Sequence, residues 1–163
     1  MILVERHKIK PNNQIIELCK LSKELYNKCN YYMRKQWFSN LKKNNWDVQL
    51  PDITLLVNLV QNEESFKNLH NTKTAKQTVR KCLIDWSNFR KAIKAYNKNS
   101  TGFNSKPKPP NYKKELAQVI FYNETIKKKP PNKRAPPSRL ATLRLILCSC
   151  RKVTISVYQL ALP

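Results

Sequence analysis

Residues 71–102 read NTKTAKQTVRKCLIDWSNFRKAIKAYNKNSTG, and the rest of the chain is organised around this stretch. Ala75, Val79, Leu83, Trp86, Phe89 or Arg90, Ile93 and Tyr96 recur at steps of three and four, which predicts one apolar helical face. Lys73, Lys76, Arg80, Ser87, Lys91, Lys94 and Lys98 keep the same period on the other face. Asn71 or Thr72 can accept a bond from an orphan N–H and cap the start. Gly102 is the sole glycine of the chain and lies just past the expected end, where a left-handed stop would be cheap for it. The reading is therefore a long helix with a sticky side and a rail of positive charge.

Charge makes that rail more than an ordinary solvated face. The 163 residues hold 32 Lys plus Arg against 10 Asp plus Glu, a formal charge of +22. Solubility of a small domain needs a magnitude of only about 2–8. The excess opposes compactness unless a polyanion is near. Nucleic acid is the first candidate partner. No stretch reaches the roughly 18 apolar residues of a membrane span, and charges from Glu5 onward interrupt any signal-peptide pattern. The expected compartment is cytoplasmic, with no membrane association. Cys19, Cys29 and Cys82 fall inside helical patterns and read as buried thiols; Cys148 and Cys150 form a lone C-x-C. No metal site and no cofactor are expected.

Residues 1–10, MILVERHKIK, read as a strand ended by Pro11. A helix then runs from Asn12 or Asn13 to about Asn40, with Ile15, Leu18, Leu25, Cys29 and Tyr32 on one face and Tyr26, Met33 and Trp37 beside it. Its cluster Tyr31, Tyr32, Trp37, Phe38 reads as core before it reads as a base-stacking surface. Residues 40–51 form a polar connector. Asp52 opens a shorter helix with Ile53, Leu56, and Leu59 or Val60 inward, and Phe66 and Leu69 give one more turn. After Gly102, FNSKPKPPNYKK is an extended basic linker. Residues 117–122 read as a strand that could pair with residues 2–9. From Thr125 onward there is no Asp or Glu but nine Lys or Arg. KKKPPNKRAPPSR there reads as disordered or extended, and LATLRLILCSC and KVTISVYQLALP as a hairpin.

The order of these parts resembles the TnpB/OrfB family of transposon-associated RNA-guided nucleases, relatives of the compact type V CRISPR nucleases. The opening strand, the LSKELYN helix, the long helix and the proline–lysine run follow one another as in that family. Gln77, Lys81, Trp86 or Ser87, Phe89 and Arg90 meet its helix pattern over a resemblance covering roughly residues 1–126. It implies a wedge-type strand (1–10), a helical recognition-type lobe (11–101), and a basic linker with return strand (102–126); a basic tail (127–163) follows them. It further implies binding of guide RNA or DNA through backbone contacts along a lysine-lined groove. The family's ribonuclease-H-like domain with three carboxylates and its four-cysteine zinc ribbon have no counterpart among these residues. Asp47, Asp52 and Asp85 all fall in or beside the helical part, so no catalytic residue is assigned. The acid-free tail departs from the family and carries the expectation of a truncated or out-of-frame end.

The expectation is thus an α+β chain: a lobe of three to four helices inserted between strands of a small, incomplete β-unit. Its function is nucleic-acid binding without catalysis; the alternative is an independent basic helical DNA- or RNA-binding protein. The candidate contacts are Lys73, Lys76, Arg80, Lys91, Lys94 and Lys98 on the helix, with Lys106, Lys108, Lys113 and Lys114 beyond it.

Overall fold

The computed structural model describes residues 2–9, 12–42, 50–121, 146–148 and 153–160, with the three outer segments described by backbone course alone. Part of the connector before Pro51 (residues 43–49, with Asp47), the KKKPPNKRAPPSR run and Cys150 lie outside the described residues. The chain is mainly helical. In order it forms β1 (Ile2–Ile9), α1 (Asn13–Lys42), α2 (Ile53–Val60), α3 (Glu64–Lys67), α4 (Thr72–Lys98), β2 (Val119–Ile120), β3 (Ile146–Cys148) and β4 (Val153–Leu160).

Helix starts follow local chemistry. Asn71 and Asp52 have extended backbones, and their side chains accept from Thr74 N and Leu55 N at 2.8 Å. Each cap stabilises its helix by about 1 kcal/mol. Asn12 accepts from Ile15 N in the same way ahead of α1. The end of α4 corrects the sequence reading. The helix stops at Asn99 in an extended conformation, and the Asn99 carboxamide accepts from Thr101 N and Oγ1. That side chain turns the backbone, so Gly102 has no positive φ. The left-handed residue is instead His70 (φ 46°), at the tight entry to α4.

α1 and α4 are the long walls of the core, and α2 and α3 close its side. Leu25, Tyr26, Cys29, Met33 and Trp37 from α1 meet Ala75, Val79, Cys82, Trp86 and Phe89 from α4, with Leu56, Val60, Phe66 and Leu69 between. Val60 points inward and Leu59 outward, which resolves one open pair; Phe89 is more deeply buried than Arg90, which resolves another. On α1 the buried stripe is centred on the residues placed beside the expected face, and Ile15, Leu18 and Tyr32 are only half-buried. The aromatic cluster divides. Trp37 packs on Trp86 and Phe89, while Tyr31 and Phe38 are exposed.

The strands form one sheet in the order β1-β4-β3-β2. The expected pairing of residues 117–122 with residues 2–9 is not formed. β1 pairs antiparallel with β4 along all eight residues, from Ile2 opposite Leu160 to Ile9 opposite Val153, and β2 pairs with β3. An eight-residue strand finds most ladder bonds with a partner of equal length, and β2 offers only two residues. The β3–β4 hairpin follows the sequence reading. β2 joins the sheet to the lobe: Val119 packs on Cys19, Ser22 Oγ donates to the Gln118 carbonyl at 2.8 Å, and Phe121 meets the His70 ring edge-on.

Cys19, Cys29 and Cys82 are buried thiols outside any disulfide, as expected. Burial pushes the Cys29 thiol from an ordinary 9.0 up to about 12. It raises Cys82 as well, with the nearby Cys29 and Asp85 adding to the effect. The folded state therefore holds these protons longer than the unfolded chain. Stability from this source is complete below about pH 9 and is lost as pH climbs toward 12. From about pH 9 to pH 10, below the main lysine titration, the urea midpoint should fall in the wild type. It should fall less in Cys29→Ala; equal slopes would refute this assignment.

Candidate nucleic-acid interface

α4 carries eight cations and one carboxylate, Asp85. Each residue turns an α-helix by about 100°. Lys73, Lys76, Arg80, Lys91, Lys94 and Lys98 consequently fall within an arc of about 60° on the side away from the core, and all six are exposed. Asp85 lies on another flank, accepting from Tyr26 Oη and pairing with Lys81 Nζ, both at 2.8 Å. Burial and that carboxylate hold the Tyr26 phenol well above its usual range.

The rail has an internal repeat. Lys73, Lys76 and Arg80 stand at i, i+3 and i+7, and Lys91, Lys94 and Lys98 repeat that spacing 18 residues later. Eighteen residues are five whole turns, so the two triads have the same azimuth and are about 27 Å apart. Ile84 and Ser87, both exposed, occupy the interval. Two residues of each triad border a groove. Lys76 and Arg80 face Thr54, Asn58 and Gln61 across about 440 Å³, and Lys91 and Lys94 join Arg90 around a second groove of about 320 Å³ near Pro51.

Four neighbouring like-charge pairs at three- or four-residue spacing destabilise α4 by roughly 1–2 kcal/mol in total. A row of anions would relieve that repulsion.

The proline–lysine segment lies elsewhere. Residues 106–114 are extended, as read, but they form a strap docked on α1. Asn27 pairs with Lys113 in both directions, Nδ2 donating to its carbonyl (3.0 Å) and Oδ1 accepting from its N–H (2.7 Å). Asn30 Nδ2 and Arg34 Nη1 both donate to the Pro110 carbonyl, at 3.1 and 2.6 Å. Asn30 Oδ1 in turn accepts from the buried Trp86 indole N–H at 2.9 Å. The strap borders α4 at Asp85, Asn88, Phe89 and Ala92, about 140° round the helix from the rail. Lys106, Lys108, Lys113 and Lys114 are exposed, yet they do not extend the rail. Lys113 Nζ instead sits 4.9 Å above the Tyr26 ring.

Sequence reading missed the anchoring roles of Asn27, Asn30 and Arg34. They stand at i, i+3 and i+7 on one face of α1, but polar side chains at that spacing read as a solvated face rather than as a docking edge. Among the described residues no three or more His, Cys, Asp or Glu side chains come together, and no helix is long and apolar enough to cross a membrane. No protein-family model, curated protein or solved structure matches the chain.

Proposed function

We propose that the chain binds a nucleic-acid duplex of A-form geometry along the α4 rail. The observation that supports this most is the repeat of two equally spaced cation triads about 27 Å apart on one azimuth. A straight helix laid along a duplex meets the same phosphate ridge once per turn. B-form DNA has a turn of about 34–36 Å. Tilting the protein helix only shortens the projected spacing, so B-form contact would require the lysines to splay apart. A-form duplexes have a shorter turn, and proteins read them mainly through phosphate and 2′-OH groups. The rail offers five lysines and one arginine with no carboxylate among them, which suits contact with a row of phosphates.

In this reading the lobe is the guide-binding portion of a TnpB/OrfB-type RNA-guided nuclease, where an RNA–DNA heteroduplex is held through its backbone. The chain contributes binding, and the phosphoryl-transfer chemistry belongs to other parts of such an enzyme. The test is titration of the full chain with a 20-base-pair RNA–DNA hybrid and with B-form DNA of matched sequence, across a salt series. Tighter hybrid binding at every salt concentration is expected. Equal affinity for both duplexes would refute the A-form assignment, and binding without salt dependence would refute the rail itself.

A further inference from the structure

On the strap side of the lobe the Arg34 guanidinium lies over two rings, 5.5 Å from the centroid of Phe38 and 5.5 Å from that of Tyr112. Arg34 is held there by its bond to the Pro110 carbonyl. A ring recruited only to cover that cation could be buried by its surroundings. Phe38 and Tyr112 are instead 42% and 46% exposed, and Tyr31 is 48% exposed. Tyr31, Arg34 and Phe38 stand at i, i+3 and i+7 on one face of α1. Three open aromatic rings and one guanidinium thus share a patch, and the exposed cations Lys35, Lys108, Lys113 and Lys114 belong to the same two segments. No acid occurs in α1 beyond Glu24 or in the strap before Glu115.

We infer that this patch is a stacking platform for the unpaired bases of a single-stranded nucleic acid. Stacking platforms combine aromatic faces with lysines that follow the backbone, and each stacked base contributes about 1–3 kcal/mol. Arginine adds a planar cation that stacks with rings and bases alike. Rigidity is the other requirement. Two asparagines and the arginine pin the strap to α1, so Tyr112 is ordered before a strand arrives and little entropy is lost on binding. A duplex, with its bases already stacked, has no use for these faces. The platform therefore serves a different ligand from the α4 rail, and the inference stands independently of the rail's role.

The experiment compares an eight-nucleotide deoxythymidine strand with an abasic strand of equal length and charge, both titrated against the full chain. The wild type should bind the base-containing strand about tenfold or more tightly. Phe38→Ala/Tyr112→Ala should lose that advantage while binding the abasic strand and a duplex as before; Tyr112→Phe, which keeps the ring, should retain it. Equal affinity of the wild type for the two strands would overturn the platform. So would undiminished preference in the double variant.

Discussion

Replacing Trp86 by alanine is expected to destabilise the chain by about 3–5 kcal/mol, a large share of the roughly 5–15 kcal/mol that holds a domain folded. The indole is fully buried, with Trp37 at 6.1 Å and Phe89 at 5.7 Å between ring centroids. Its loss opens a cavity where α1 and α4 meet. It also removes the donor to Asn30 Oδ1, loosening the amide that holds Pro110. Trp86→Phe separates the two effects. Most of the ring volume stays, and the remaining loss of about 1–3 kcal/mol reports the buried amide oxygen left without a partner. Urea unfolding followed by circular dichroism reads both. A loss below 1 kcal/mol for the alanine variant would mean that this junction is not the centre of the lobe's packing.

The second large effect concerns binding. Six phosphate contacts along the rail give a salt slope of about −5, so affinity for a duplex should fall roughly 10³-fold between 50 and 200 mM salt. Changing Lys91, Lys94 and Lys98 to glutamine removes three contacts and about half the slope, leaving a fall of only about 40-fold. The same change at Lys73, Lys76 and Arg80 should match it, because the triads are equivalent in azimuth and spacing. Glutamine at Lys108 and Lys113 should leave the duplex slope nearly unchanged, since those residues lie on the other flank of α4. Filter binding or fluorescence anisotropy across the salt series measures all three. Equal effects from helix and strap would show that total charge, rather than the rail, governs binding.

What was legible in the sequence follows from how local each cause is. The α4 cap, its core stripe and its cation arc depend on a period fixed by helix geometry, and Asn71, Trp86 and Lys94 declare it without reference to neighbours. The buried thiols follow from the same period. The strap did not declare its place. Residues 106–114 read correctly as extended, but which surface they meet depends on Asn27, Asn30 and Arg34, polar residues 76–86 positions away. Strand pairing failed for a related reason: β1 chose between candidate partners by ladder length, which alternation along one strand does not express. At the α4 terminus a side chain outweighed a backbone propensity, with Asn99 making the turn that Gly102 was expected to make.

The long β1–β4 ladder sets an order of events in time. β1 is made first, and its partner β4 begins about 140 residues later. At synthesis rates of about 5–20 residues per second, β1 waits roughly 7–30 s for its ladder, far longer than the microseconds in which helices form. The four helices are complete well before then, so on the ribosome the lobe assembles first and the sheet closes last.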